Sequence, residues 1–323
     1  MTLFRKDKSL RNKVVERGEA AFAARAAAFA AAAVLCAASA RAEDLHQSIV
    51  VGGVTRTYVL HVPANLTGKV PLILSFHGHG GDGAGQAKLT GLDRLADARG
   101  FIVVYPDGLH RAWNDGRPQE GTTADDLGFA AALQDDLERR FPIDRSRVYA
   151  TGFSNGAVFT NYLACRQADR IAAIAPVSGT LPQNDVASCK PARTVSALIV
   201  SGTDDPVMPY RGGTVRVLAE DRGEVISVAA DAALWARNDG CSSPPPSPMP
   251  LPSIAPADGT SVSRTVYRGC RDRSSVVLYT VVGGGHAWPD GPQYLPAAFI
   301  GTASAQIDAS AAIVDFFLTT ART

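Results

Sequence analysis

The sequence Gly152-Phe153-Ser154-Asn155-Gly156 sets a serine between two glycines. A serine hydroxyl attacks well only when a neighbouring base takes its proton, so such a residue needs a histidine and a group that orients the histidine. The two glycines lack the Cβ atoms that would crowd a sharp strand-to-helix turn, the setting that presents a nucleophile. His286, in Gly283-Gly284-Gly285-His286-Ala287-Trp288-Pro289, is the last of six histidines and follows three glycines suited to a sharp backbone bend. It is the expected general base. The orienting acid is Asp205 or Asp204, in Ser201-Gly202-Thr203-Asp204-Asp205-Pro206-Val207. A residue before proline is biased to extended backbone, which suits a carboxylate projecting from a loop and favours Asp205, leaving Asp204 as a turn residue or helix cap.

Acyl transfer through Ser154 also requires fixed N–H donors for the charge that develops on the substrate oxygen, each contributing about 3 to 4 kcal/mol. The N–H of Asn155, directly after the nucleophile, is one expected donor. The loop Phe76-His77-Gly78-His79-Gly80-Gly81 supplies the other, for which the N–H of His79 is favoured. No carboxylate or cysteine cluster accompanies His77 and His79, so neither a metal nor an organic cofactor is expected. Asp125 and Asp126 are adjacent carboxylates, but they stand at a predicted helix entry, where negative charge is favourable without any catalytic role.

The elements that must position these residues are legible as alternating patterns. Gln47 to Val62, with Gly52-Gly53 at a turn, predicts an antiparallel edge hairpin. The unbroken apolar run Val70 to Phe76 predicts a strand buried on both faces, followed by a helix over Leu92–Arg99 and a strand over Phe101–Tyr105. Leu127, Ala130, Ala131, Leu133, Leu137 and Phe141 make one apolar stripe and predict a helix from Asp126 to Phe141. The strand Arg147–Thr151 then enters the Ser154 turn, and Ala157–Cys165 continues as helix. Further strands are expected at Ile171–Pro176, Ser196–Ser201 and Ser275–Val282, with helices at Ser227–Asn238 and Ala303–Thr319. This alternation predicts an α/β class, with a mostly parallel central sheet flanked by helices. The chain order Ser154, Asp205, His286 is that of the α/β-hydrolase fold.

With 32 basic against 31 acidic side chains, the formal charge of +1 gives no electrostatic case for binding nucleic acid. Residues 1–42 differ from the rest: a basic start leads into the Ala-rich run Ala26–Ala40 and ends Ala40-Arg41-Ala42, which predicts a secretory signal peptide cleaved before Glu43. An apolar run of about 15 residues is short for a membrane span, so no stable membrane insertion is expected after cleavage. Residues 43–323 are expected to form one catalytic domain, monomeric and secreted. Cys165, Cys189, Cys241 and Cys270 then remain, an even number in a protein bound for an oxidising compartment. Of three possible pairings, Cys165–Cys189 with Cys241–Cys270 is favoured because each pair brackets one excursion, and each closure would contribute about 3 to 4 kcal/mol on the chain-entropy model. Ser242 to Pro256 contains seven prolines and no core face, which predicts an extended surface insertion or a rim of the substrate site.

Taken together, these motifs resemble the esterase/polyhydroxybutyrate-depolymerase family, which includes feruloyl esterases and related carbohydrate esterases. Phe76-His77-Gly78, Tyr105-Pro106-Asp107-Gly108 with Trp113-Asn114, Asp125-Asp126-Leu127-Gly128-Phe129, the run Arg147 to Gly156, Gly202 to Tyr210 and Gly283 to Pro289 carry the resemblance over most of residues 45–320. The family pattern implies Asp205 as the acid and the same two local disulfides, and it suggests that Trp113 and Trp288 border the acyl or aromatic subsite. His79 stands where relatives vary. The implied activity is a serine carboxylic-ester hydrolase acting on feruloyl or acetyl saccharide esters or short hydroxyalkanoate esters. A poly(3-hydroxybutyrate) depolymerase is the alternative, and a serine peptidase or a non-catalytic binding module fits the sequence less well.

Overall fold

A computed structural model describes residues 43–217, 220–242 and 247–322. The signal-peptide reading of residues 1–42 lies outside the described residues. The chain enters through β1 (Glu43–Val51) and β2 (Val54–Val62), an antiparallel hairpin turned at Gly52 and Gly53, both with positive φ. β3 (Val70–Phe76) is buried at all of its positions, as its uninterrupted apolar run predicts for a strand covered on both faces.

After β3 come α1 (Gly83–Thr90) and α2 (Leu92–Arg99), then β4 (Ile102–Pro106), α3 (Asp126–Arg140), β5 (Ile143–Phe153) and α4 (Asn155–Arg166). The second half holds β6 (Ala173–Val177), β7 (Ser196–Gly202), a separate hairpin of β8 (Gly213–Val217) and β9 (Glu220–Val225), α5 (Val228–Asn238), β10 (Met249–Pro250), β11 (Ser261–Tyr267), β12 (Val276–Val282), α6 (Ala297–Ile300) and α7 (Ala309–Leu318). Among the described residues ten strands form one sheet in the order β1-β2-β4-β3-β5-β6-β7-β12-β11-β10. The run from β4 to β12 is parallel, and antiparallel strands close both edges. The fold is the expected α/β-hydrolase type.

Two apolar layers cover the sheet. Phe129, Leu133 and Leu137 of α3, Phe159 and Leu163 of α4 and Trp235 of α5 pack on one face. Leu92 and Leu95 of α2 and Ile313, Val314 and Phe317 of α7 pack on the other. Disulfides join Cys165 to Cys189 and Cys241 to Cys270, the local pairing expected from the sequence.

Two elements differ from expectation for local reasons, and Gly83–Thr90, a stretch with no predicted element, is helical, capped by Asp82 accepting from the Gly85 N–H at 2.7 Å. The last helix starts at Ala309 rather than Ala303, since Asp308 caps it there and Ser304 and Gln306 are engaged with residues 253–260. In the proline-rich insertion, Met249–Pro250 pairs with Arg264 and Ser263 as a sheet edge, the place where a strand tolerates proline. None of its described residues lines the cavity at Ser154, so they form no rim of that site.

Candidate active site

The residues singled out for chemistry come together at the C-terminal edge of the parallel strands, where open α/β sheets bind ligands. Ser154 follows β5, Asp205 follows β7, His286 follows β12 and His79 follows β3. Ser154 has φ 56° and ψ −120°, a left-handed conformation that costs a non-glycine residue about 1 to 3 kcal/mol. A Cβ on Gly152 would lie 2.3 Å from the Gly156 carbonyl oxygen, and one on Gly156 would lie 2.3 Å from that of Phe76. Only glycine fits at either position, which is the physical content of the Gly-x-Ser-x-Gly spacing.

His286 bridges the other two groups. Its Nδ1 is 2.8 Å from Asp205 Oδ2 and its Nε2 is 2.9 Å from Ser154 Oγ. A carboxylate can only accept, so Nδ1 carries the ring proton and Nε2 is left to accept from the serine hydroxyl. Asp205 is held in turn: its Oδ1 accepts from the N–H groups of Val207 and Met208, both at 2.8 Å. Asp204 is exposed and accepts from the Thr203 hydroxyl, so Asp205 is the aspartate brought to the histidine.

Asn155, at the first position of α4, has no intrahelical acceptor for its N–H, as holds for any first-turn amide. In the loop after β3, the N–H of Gly80 donates to Arg111 at 2.7 Å and that of Gly81 to Gly78 at 2.9 Å, while no hydrogen bond among the described residues uses the N–H of His79. A Cβ on Gly78 would stand 3.3 Å from the Ser154 Cβ, which shows how closely this loop approaches the nucleophile.

His77 and His79 play different parts. His77 is buried and neutral: burial pushes its pKa down, its Nδ1 donates to the Gly78 carbonyl at 2.7 Å, and its Nε2 accepts from the Gly108 N–H at 3.0 Å. His79 lines the cavity with Nδ1 2.5 Å from Glu120 Oε1. Among the described residues no group of three or more His, Cys, Asp or Glu could hold a metal ion.

The cavity above Ser154 measures about 930 Å³. Phe153, Leu89, Tyr294, Leu295 and Phe299 make an apolar wall, and His79, Gln86, Lys88 and Arg216 bring polar groups to it. Tyr294, Leu295 and Phe299 are exposed at its mouth, and the Tyr294 hydroxyl donates to the His286 carbonyl at 3.1 Å.

The two tryptophans do not border this cavity, which corrects the sequence expectation. Trp113 is 0% exposed, stacks on Phe159 and donates from Nε1 to the His77 carbonyl at 2.9 Å. Trp288 is 1% exposed and donates to Ser310 Oγ at 3.0 Å. Each ring packs beneath the loop of a site residue, because an indole with one N–H is well suited to fill a core and fasten one backbone or hydroxyl acceptor. The apolar wall comes instead from Leu89, Phe153 and residues 294–300. The signal for the last of these in the sequence was the apolar set Tyr294, Leu295, Phe299 and Ile300 in the segment directly after the histidine motif.

Asp125 caps α3, accepting from the Gly128 N–H at 2.8 Å. Asp126 lies 2.6 Å from Arg56 and accepts from the Asn114 N–H at 2.7 Å, so both carboxylates act in the framework.

The sheet order and the strand-to-helix turn at Ser154 are those of the α/β-hydrolase fold, with His286 in contact with both Ser154 and Asp205. Residues 56–208 match the family model described as esterase PHB depolymerase. The chain is 33% identical over 288 residues to a putative esterase, NocK, from Nocardia uniformis subsp. tsuyamanensis, covering 84% of this chain and 82% of that protein. It is 28% identical over 240 residues to feruloyl esterase C of Emericella nidulans, covering 72% of this chain and 76% of that protein. An acetyl xylan esterase structure from Aspergillus awamori superposes with a TM-score of 0.53 at 17% identity, covering 75% of this chain and 94% of that one, a likeness of fold. The chain belongs to the esterase/PHB depolymerase family of carboxylic ester hydrolases.

Proposed function

We propose that the protein cleaves esters through an acyl-enzyme on Ser154. His286 takes the serine proton as Oγ attacks the ester carbonyl, and Asp205 keeps the imidazole in the tautomer that can accept it and stabilises the imidazolium that forms. The N–H groups of Asn155 and His79 receive the oxyanion, His286 returns the proton to the leaving alkoxide, and water then releases the acid by the same steps. The observation that carries this reading is the imidazole of His286 in hydrogen-bond contact with both Ser154 and Asp205 at the floor of the cavity. Replacing Ser154 with Ala abolishes release of p-nitrophenol from a short-chain ester while leaving the fold intact; hydrolysis retained by that variant would overturn the assignment.

The substrate is a feruloyl or acetyl ester of a saccharide, or a short hydroxyalkanoate ester. The cavity's volume and its mixture of an apolar wall with polar groups suit an acyl or aryl group set beside a hydroxylated alcohol. Poly(3-hydroxybutyrate) is the second reading, favoured by the exposed side chains of Tyr294, Leu295 and Phe299 at the mouth. Release of ferulate from methyl ferulate, of acetate from acetylated xylan and of 3-hydroxybutyrate from its oligomers separates the candidates by kcat/KM. Secretion is part of the proposal, supported by two disulfides in a chain whose first 42 residues have signal-peptide composition.

A further inference from the structure

We propose that the buried charged side chains Glu120, Arg117 and Asp115 act as positioning residues for the two backbone amides that receive the substrate oxyanion. The inference rests on the serine-esterase reading above. His79 and Asn155 lie on separate elements, the loop after β3 and the start of α4, and their amides must keep a fixed separation for both to meet one oxygen. One polar chain connects their side chains. His79 Nδ1 donates to Glu120 Oε1 at 2.5 Å, and Arg117 Nη2 donates to Glu120 Oε2 at 3.3 Å and to Asp115 Oδ2 at 2.5 Å. Asn155 Nδ2 then donates to the same Asp115 oxygen at 2.7 Å.

This chain is anchored at its Asn155 end and at its middle. Asn155 also accepts from the Trp113 N–H at 2.8 Å and donates to the Trp113 carbonyl at 3.0 Å, so its amide side chain has little freedom. Arg117 Nη1 donates to the Arg222 carbonyl at 2.9 Å. The side chains of Asp115, Arg117 and Glu120 are at most 2% exposed. Burial opposes the charge on Arg117, yet the two carboxylates raise its pKa, so the cation persists.

Buried ions are an expensive filling, and apolar side chains of similar volume stabilise a fold as well or better. What this set supplies that an apolar filling would not is directional contact with His79 at one end and with Asn155 at the other. An unshared lone pair or a flexible end would let the amides drift, and a shift of about 1 Å can cost about a hundredfold in rate.

The test uses the whole protein, with active sites counted by a fluorophosphonate label so that rates are per competent site. Glu120→Gln and His79→Ala should each lower kcat on p-nitrophenyl acetate ten- to hundredfold with KM within twofold. Affinity for a trifluoromethyl ketone, which forms a tetrahedral adduct, should fall in proportion. His79→Asn, whose side-chain amide can still donate to Glu120, should recover most of the loss. Per-site kcat within twofold of wild type in both Glu120→Gln and His79→Ala, or equal losses in His79→Ala and His79→Asn, would overturn the proposal. Should Glu120→Gln fail to fold, the two His79 variants decide alone, since they leave the buried ions in place. Ser154→Ala runs alongside: activity retained there defeats the parent reading, whereas an inactive Ser154→Ala with unaffected His79 and Glu120 variants defeats only this one.

Discussion

Two histidine–carboxylate pairs face the same cavity, and they differ in what holds the acid. Asp205 orients His286 while its other oxygen is fastened by two backbone N–H groups, and the far nitrogen of His286 meets Ser154. Glu120 orients His79 while its other oxygen is fastened by a buried arginine. Backbone donors fix a carboxylate without introducing an opposing charge, so the charge of Asp205 stays available to the imidazole beside it. A guanidinium neutralises much of that charge and turns the carboxylate into a structural joint. On the proposed reading, the same pair of functional groups serves proton transfer in one place and geometry in the other.

The largest effect expected from breaking this comparison is Asp205→Asn. An amide nitrogen facing Nδ1 favours the wrong tautomer, so kcat on p-nitrophenyl acetate should fall about 10³- to 10⁴-fold. Stability should change by no more than about 1 kcal/mol, because the remaining amide oxygen can still accept from Val207 and Met208. Arg117→Met inverts the pattern. It leaves Asp115 and Glu120 buried without their cation, and urea unfolding should show a loss of about 3 to 5 kcal/mol. Equal stability losses in the two variants would remove the distinction drawn between the pairs.

A third buried carboxylate lacks both kinds of support. Asp231 is 0% exposed; its Oδ1 accepts only a long 3.4 Å bond from the Leu181 N–H, and its Oδ2 has no partner. Burial pushes its pKa up to about 7. The folded state therefore binds this proton more tightly than the unfolded chain does, where a carboxyl titrates near 4. The stability contributed by the protonated form is complete below about pH 4 and is lost as pH rises through about 7. Asp231→Asn should remove on the order of 2 to 4 kcal/mol of that decline, read as the difference in unfolding free energy between pH 4 and pH 8. A smaller slope of the same sign should persist, since burial also raises Asp239, to about 6. An unchanged pH profile in the variant would show that Asp231 is not the group responsible.

The first pair was legible in the sequence and the second was not. Ser154, Asp205 and His286 each sit in a turn whose glycines or proline are forced by backbone geometry, and backbone constraints leave marks on local sequence. The parallel strands were legible for the same reason: a strand buried on both faces must be apolar throughout, as Val70–Phe76 is. Glu120 and Arg117 lie between β4 and α3 in a stretch with no period and no motif, and although they pair locally with each other and with Asp115, their contacts to His79 and Arg222 span 41 and 105 residues. Only tertiary packing brings these distant partners together. The charged hairpin β8–β9 escaped for a similar reason. Its apolar positions are few, and Val215 and Val225 find their cover on Val158 and Met208, from other parts of the chain.

The smallest effect concerns the apolar wall of the cavity. Phe299 is 67% exposed at the mouth, so in the free enzyme it has little packing to lose. Phe299→Ser should accordingly leave unfolding unchanged within about 0.5 kcal/mol. Acetyl is a small acyl group with little surface to bury against a rim, and kcat/KM for p-nitrophenyl acetate should stay within about twofold. A longer acyl chain or an aryl acid buries surface against the rim, and losing roughly 40 to 80 Å² of apolar contact at about 25 cal/mol per Å² lowers kcat/KM about five- to thirtyfold. Because the contact forms equally in the bound ester and the transition state, the loss should fall on KM and leave kcat nearly unchanged. The Glu120 and His79 variants are expected to act on kcat with KM unmoved. Finding the Phe299 effect in kcat instead would mean that the rim takes part in aligning the reacting carbonyl, and the division of the cavity into a binding wall and an oxyanion wall would fail.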